Sequence, residues 1–108
     1  MAAVSPIADL SPIDANTRVQ AGALLLDVRE LNEWQAGHVV GAMHLPLGEL
    51  ALRAAELPRD REIVVMCLSG GRSQVACGIL ARSGFTSVAN LTGGITAWAR
   101  AGLPTARG

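Results

Sequence analysis

The sequence has 108 residues, half of them hydrophobic, and its nine acidic residues balance nine basic residues, all of them arginine. This balance argues against an overall field that would recruit nucleic acid or a membrane surface. We expect one domain over residues 1–108, long enough to bury roughly 65% of its unfolded surface without disulfides.

Two features of the sequence bear on membranes and secretion. No apolar run reaches the ~20 residues that span a bilayer, and residues 1–6 have neither the basic start nor the apolar core of a secretion signal. We therefore predict a cytoplasmic protein with no nucleic-acid or membrane partner. Arginine without lysine, together with abundant alanine and glycine, is typical of a GC-rich bacterial genome.

Strand-like and helix-like segments alternate along the chain. Strands are predicted as a short edge strand ending near Leu10 and over residues 23–28, 42–45, 62–66 and 86–91. Helices are predicted from a Ser11 cap followed by Pro12, and over residues 31–36, 47–57, 73–83 and 94–101. This alternation predicts an α/β fold with a five-stranded, mostly parallel sheet flanked by helices on both faces.

The segment 67–73 follows the strongest strand and leads into a helix whose inward face is predicted to carry Val75, Ile79 and Leu80. A glycine-bearing turn between strand and helix points successive amides into one concavity, which would stabilise a Cys67 thiolate. Arg72 stands near the helix N-terminus, where a cation is unfavourable unless an anion lies beside it. The alternative is an ordinary buried cysteine and a solvated arginine.

Three segments are expected to meet at the carboxyl edge of the sheet, where ligands gather in such folds. They are residues 27–29, 67–72 and 92–94.

The other chemical residues favour structural roles. Cys77 lies within a helix pattern and is predicted to be a small core residue, and the two cysteines make no disulfide framework. His38 and His44 have no zinc-type spacing, and we expect His38 to bond to backbone before the third strand. Trp34 and Trp98 are predicted to be core residues. No Gly-Lys-Ser/Thr loop is present, and we expect neither a cofactor nor a metal.

Three stretches carry a family resemblance. Residues 25–30, Glu33-Trp34 and residues 37–46 resemble the amino-terminal signature of single-domain rhodaneses, which are thiosulfate-type sulfurtransferases. Residues 67–73 resemble the family's active-site loop, and residues 91–98 with 102–104 resemble its carboxy-terminal signature. The resemblance extends over a core of about residues 10–104 and implies five parallel strands flanked by helices.

The resemblance also implies a reaction. Cys67 would accept sulfane sulfur from a donor such as thiosulfate or a persulfide and pass it to a thiol, cyanide or another nucleophile. The backbone of the loop would hold the outer sulfur, and Arg72 would orient the donor. Asp27 and Arg29 would be a supporting pair that ties the strand end to the loop. The loop residues concerned are Leu68, Ser69, Gly70, Gly71, Arg72 and Ser73.

Two other functions stay open at this point. A phosphatase or arsenate reductase could use the same kind of cysteine loop, although four residues separate Cys67 from Arg72 and cysteine phosphatases carry five. A rhodanese-like module that only binds partners is the other alternative. Such modules often lack the nucleophile, and this chain retains it.

Overall fold

A computed structural model describes residues 7–107, and a five-stranded parallel sheet is its central element. In space the strands follow the order β1-β5-β4-β2-β3, so β4 is central and β1 and β3 are the edges. The predicted α/β fold, with its short first edge strand, is confirmed. The strands are β1 (Ala8–Leu10), β2 (Leu24–Asp27), β3 (Met43–His44), β4 (Ile63–Met66) and β5 (Val88–Leu91).

Within residues 7–107, four α-helices connect successive strands and a fifth follows the last strand, and most begin or end where the local sequence indicates. The Ser11 hydroxyl accepts the Asp14 amide at 3.1 Å and caps the first helix, while Gly37 ends the second. The helices are α1 (Pro12–Gln20), α2 (Leu31–Ala36), α3 (Leu47–Arg53), α4 (Gly71–Arg82) and α5 (Gly94–Arg100). A 3-10 turn, Ala54–Glu56, follows α3.

The sheet has a hydrophobic cluster on each face, because successive strand side chains point to opposite sides. In β4, Ile63 and Val65 pack in one cluster with the α3 and α4 helices, whereas Val64 and Met66 pack in the other with α1 and α5. All four side chains are fully buried. The central strand therefore fixes its carboxyl end, and the residue that follows it, between two packed layers.

The inward face of α4 differs from the prediction. The helix begins at Gly71 rather than at residue 73, and its buried residues are Ser73, Ala76, Cys77 and Leu80. Val75, which was expected to face inward, is 55% exposed. Apolar residues occur on most sides of this helix, so their spacing does not select one face, and the buried face includes a serine that a hydrophobic pattern cannot identify.

The structure tests the prediction that no segment spans a membrane, and it does not test the prediction that residues 1–6 are not a secretion signal. Within residues 7–107, no helix is long and apolar enough to cross a membrane. The interpretation of residues 1–6 as lacking a secretion signal lies outside the described residues.

Candidate active site

Cys67 directly follows the central strand, at the start of a loop that turns into α4. Its Sγ atom receives a hydrogen bond from the Gly70 amide at 3.1 Å and lies 3.5 Å from the Ser73 Oγ atom. Cys67 is only 1% exposed, although the adjacent Leu68 is 46% exposed. The sulfur is therefore recessed within a loop that itself reaches the protein surface.

The surroundings of Cys67 favour its thiolate. Burial removes water from the sulfur and by itself raises the thiol pKa. The Ser73 hydroxyl and the backbone amides of Ser73, Gly70 and Ser69 act in the opposite direction, and together they hold the pKa of Cys67 below its ordinary value. The Gly70 amide, 3.1 Å from the sulfur, is the donor with hydrogen-bond geometry in this turn, and it lies where the sequence predicts amides to face Cys67.

Gly94, at the start of α5, packs directly against the backbone of the cysteine loop. It takes a left-handed φ of +58°, and a Cβ atom there would overlap the Cys67 carbonyl oxygen and lie 2.5 Å from that of Leu68. The two residues that follow donate to the same carbonyls, Ile95 to Cys67 at 2.9 Å and Thr96 to Leu68 at 3.2 Å. The turn after β5 thus fixes the loop after β4, as expected for segments that meet at the carboxyl edge.

Arg72 has an anionic partner within the chain. Its guanidinium donates to both carboxylate oxygens of Glu33 in α2, at 2.6 and 2.9 Å. Arg72 lowers the pKa of Glu33 to about 2, with a further contribution from the Glu30 amide, and these outweigh the raising effect of burial. The position of Arg72 near a helix N-terminus predicts an anion beside it, and Glu33 is such an anion.

Asp27 and Arg29, the pair predicted to tie the strand end to the loop, form a buried ion pair whose further side-chain hydrogen bonds are with α2. Arg29 donates to both Asp27 oxygens through Nε and to Oδ2 through Nη2 at 2.8 Å, and Asp27 is 0% exposed and Arg29 4% exposed. Arg29 also donates to the carbonyls of Glu33 at 3.4 Å and Gly37 at 2.7 Å. These are carbonyls of the C-terminal part of α2 and of the residue that ends it, so Arg29 caps the C-terminal end of α2, and the link of the pair to the cysteine loop runs through the Glu33 contact with Arg72.

An open groove of about 290 Å³ lies between α2 and α5, beside this ion pair. Its polar lining includes Arg29, Glu33, Thr96 and Thr105. Because Thr96 also donates its amide to the Leu68 carbonyl, the groove adjoins the cysteine loop.

The two histidines and Trp34 form one stack. The centroid of the Trp34 ring lies 3.9 Å from that of the His38 ring and 5.0 Å from that of the His44 ring. His38 bonds through Nδ1 to the Trp34 carbonyl at 2.9 Å, which confirms its predicted backbone contact, and His44 bonds through Nε2 to the Arg29 carbonyl at 2.7 Å. Trp98 is buried as predicted, whereas Trp34 is only half-buried.

Cys77 is the small core residue that the sequence predicts. It is 1% exposed, and burial, with a smaller contribution from Asp9, raises its pKa to about 12. Within the described residues, no group of three or more histidine, cysteine, aspartate or glutamate side chains could hold a metal ion.

Two polar residues of the site were not predicted. Glu33 belongs to a stretch quoted for the family resemblance, but its contact with Arg72 spans 39 positions and leaves no local signal. Asn90, 2% exposed in β5, accepts the Ser73 hydroxyl at 2.5 Å. A buried asparagine in an otherwise apolar strand is a signal that could have drawn attention to it.

The fold and this loop together define an α/β protein with a recessed cysteine at the carboxyl edge of a parallel sheet. Residues 11–101 match the family model described as Rhodanese-like domain, and the chain belongs to that family.

Relatives named as sulfurtransferases support this assignment. The chain is 46% identical over 81 residues to a protein named Sulfurtransferase from Allochromatium vinosum, covering 75% of this chain and 76% of that protein. It is 35% identical over 91 residues to Thiosulfate sulfurtransferase GlpE of Pseudomonas fluorescens, covering 82% of each.

A solved structure supports the fold. The crystal structure of a rhodanese-related protein from Thermoplasma volcanium aligns with a TM-score of 0.85 at 29% identity, covering 92% of this chain and 97% of that one. Three other relatives are longer, since the chain spans only 40% to 60% of their length.

Proposed function

We propose that this chain is a sulfurtransferase that carries sulfane sulfur on Cys67 as a persulfide. The observation that carries the proposal is the recessed Cys67 Sγ atom at the carboxyl end of the central strand, which receives the Gly70 amide at 3.1 Å and lies 3.5 Å from the Ser73 hydroxyl, and these surroundings lower the pKa of Cys67. A thiolate is the form of cysteine that attacks sulfur, and lowering its pKa increases the fraction present at neutral pH. The names of the relatives support the same class of reaction.

The proposed reaction has two steps with the same nucleophile. The Cys67 thiolate attacks the outer sulfur of a donor such as thiosulfate, an S–S bond forms, and the S–S bond of the donor breaks to release sulfite with the bonding electron pair. An acceptor thiolate or cyanide then attacks the outer sulfur of the persulfide. The acceptor takes up this sulfur and leaves as a persulfide or as thiocyanate, the S–S bond of the Cys67 persulfide breaks, and Cys67 is released as a thiolate.

The loop backbone would hold the outer sulfur during this cycle. We propose that the amides from Leu68 to Ser73 would donate to this sulfur, because a terminal sulfur anion that is taken out of water needs such donors. No loop side chain other than Arg72 is cationic. Since Glu33 already contacts Arg72, the rim is less positive than one with a free guanidinium, and we expect a higher KM for the thiosulfate dianion than for a singly charged persulfide donor.

The supporting pair would act on the donor indirectly. Asp27 and Arg29 hold α2, α2 carries Glu33, and Glu33 fixes the guanidinium of Arg72. We propose that this sequence of contacts sets the position of Arg72 relative to the donor.

The physiological acceptor would be a thiol, either of low molecular weight or on a protein.

Both described cysteines are unpaired, and a cysteine nucleophile works in a compartment that keeps thiols reduced. We therefore propose a cytoplasmic location.

The test is the intact mass of the chain after incubation with thiosulfate and rapid desalting. We expect a gain of one sulfur, about 32 Da, which cyanide then removes as thiocyanate. Cys77→Ser is the matched control and should gain the same mass, whereas Cys67→Ser should gain none.

Two outcomes would overturn the proposal. Hydrolysis of a small aryl phosphate by the native chain and not by Cys67→Ser, without any mass gain from sulfur donors, would assign a phosphatase. No mass gain from thiosulfate or from a low-molecular-weight persulfide, with Cys67 still open to alkylation, would leave a module that binds partners.

A further inference from the structure

A line of side-chain hydrogen bonds connects Cys67 to the surface of the protein. Cys67 Sγ lies 3.5 Å from Ser73 Oγ, Ser73 Oγ lies 2.5 Å from Asn90 Oδ1, and Asn90 Nδ2 donates to Asp9 Oδ1 at 3.1 Å. Ser73 and Asn90 are buried, whereas Asp9 is exposed on the edge strand β1. Asp9 and Asn90 are directly opposite in the pairing of β1 with β5.

Ser73 has more acceptors within reach than it has protons. Its hydroxyl carries a single hydrogen, and that hydrogen can go to Asn90 Oδ1, to the Gly70 carbonyl at 3.0 Å, or to the sulfur. When Cys67 is a thiol, its own hydrogen can point to Ser73 Oγ. When Cys67 is a thiolate, the sulfur becomes an acceptor and competes with Asn90 for the Ser73 proton.

Asp9 decides which end of the Asn90 amide faces Ser73. A carboxylate only accepts hydrogen bonds, so it favours the orientation in which Nδ2 points to Asp9 and Oδ1 points to Ser73. In that orientation Asn90 needs the Ser73 proton, because a buried amide oxygen without a donor is costly. Throughout the described residues, every buried side-chain nitrogen and oxygen has a hydrogen-bond partner.

We propose that Asp9, acting through Asn90, draws the Ser73 proton away from Cys67 and thereby restrains the formation of its thiolate. Asp9 and Asn90 are positioning residues, because neither touches the sulfur. The inference rests on the proposed function only in that the thiolate is the reacting form. The hydrogen bonds from Ser73 to Asn90 and from Asn90 to Asp9 would keep the resting Cys67 partly protonated, while the loop amides favour its thiolate.

Other charged groups face the two ends of this line. Arg72, paired with Glu33, lies near Cys67 at the start of α4. At the other end, Asp9 faces Cys77 of α4 and contributes to its raised pKa. The experiment therefore has to separate the hydrogen-bond effect of Asp9 from the effect of its charge.

The experiment measures the rate of iodoacetamide alkylation of Cys67 against pH, followed by peptide mapping so that Cys77 is not counted. Asp9→Ala frees Asn90 to turn, and we expect the apparent pKa of Cys67 to fall by about 0.5 to 1 pH unit, the equivalent of one gained hydrogen bond. Asp9→Asn keeps an oxygen that accepts from Asn90 without the charge, and should remain close to the native value.

This pair of variants distinguishes the two explanations. If both variants lower the pKa of Cys67 equally, Asp9 acts through its charge and the proposal is overturned. An unchanged pKa in Asp9→Ala also overturns it. Asp60→Ala, which removes an exposed carboxylate elsewhere, should leave the native value, and an equal fall there would overturn the proposal as well.

A second comparison uses the middle of the line. In a Ser73→Ala background the Asp9→Ala substitution should no longer change the pKa of Cys67, and a persistent fall would refute the relay. The Asp9→Asn comparison decides the matter if Ser73→Ala does not fold. Because alkylation needs no sulfur donor, failure of the relay and failure of sulfur transfer are read separately.

Discussion

Gly94→Ala tests the packing that holds the cysteine loop in place. The new methyl group would overlap the Cys67 carbonyl oxygen and lie 2.5 Å from the Leu68 carbonyl oxygen, both of which are backbone atoms. The loop would have to move away from α5. That movement would weaken the hydrogen bonds from Ile95 and Thr96 to the same two carbonyls.

The magnitude follows from these two effects. An alanine in a left-handed conformation costs about 1–2 kcal/mol, and each of the two hydrogen bonds contributes about 1 kcal/mol. We therefore expect Gly94→Ala to lower the free energy of unfolding by about 3–4 kcal/mol, a large share of the stability of a small domain. The amides that face Cys67 would shift with the loop, so the pKa of its thiol should rise toward its ordinary value of about 8.5.

Gly102→Ala is the matched control. Gly102 also has a left-handed φ, +81°, but a Cβ atom there would meet nothing within 4 Å. Only the conformational cost applies, so the loss should stay near 1–2 kcal/mol and the reactivity of Cys67 should not change.

Urea unfolding followed by circular dichroism measures the first effect, and alkylation of Cys67 against pH measures the second. With a slope of about 1.5 kcal/mol per molar urea, the midpoint should fall by about 2–3 M for Gly94→Ala and by about 1 M for Gly102→Ala. Equal losses in the two variants would refute the reasoning that the loop rests on Gly94.

Three further predictions concern charges and the second cysteine. Glu33→Gln should lower the free energy of unfolding at pH 7 by about 1 kcal/mol, since its pair with Arg72 is partly exposed. Pairing lowers the pKa of Glu33 from 4.5 to about 2, so this stabilisation is present above pH 4.5 and disappears as the pH falls through 2. A difference between native and Glu33→Gln unfolding curves that persists below pH 2 would contradict it. At pH 8 iodoacetamide should modify native Cys67 and not Cys77, whose burial raises its pKa to about 12, and mapping of both labels in folded chain would be the contrary result. Arg29→Lys should cost about 3 kcal/mol in urea unfolding, because a lysine cannot reproduce the buried two-pronged contact, and a loss below 1 kcal/mol would speak against that role.

Local signals explain why much of the fold could be predicted. The cap at Ser11, the end of α2 at Gly37 and the five apolar runs each depend on residues close together in the chain. The position of Cys67 at the end of the central strand follows from the same signals. The structure mainly shortens the elements, since strand and helix ends depend on hydrogen bonds that neighbouring elements supply.

The unpredicted parts of the site depend on strand order. Asp9 and Asn90 are 81 positions apart, and they meet only because β1 pairs with β5 at one edge of the sheet. Glu33 and Arg72 are 39 positions apart and meet because β2 and β4 are neighbours, which brings the start of α2 beside the start of α4. One sequence indicates that strands exist without indicating which ones pair.

The charge balance around Cys67 indicates which groups sustain its thiolate. Arg72 already contacts the carboxylate of Glu33, and the Ser73 hydroxyl donates to Asn90, so the loop amides, with that of Gly70 at 3.1 Å, are the donors most directly available to the sulfur. These donors are fixed dipoles, and mobile ions screen exposed charges much more than they screen buried hydrogen bonds. The reactivity of Cys67 should therefore depend on the geometry of the loop more than on ionic strength. Because Gly94 fixes that geometry through contacts that also stabilise the fold, reactivity and stability should fall together when the loop is displaced.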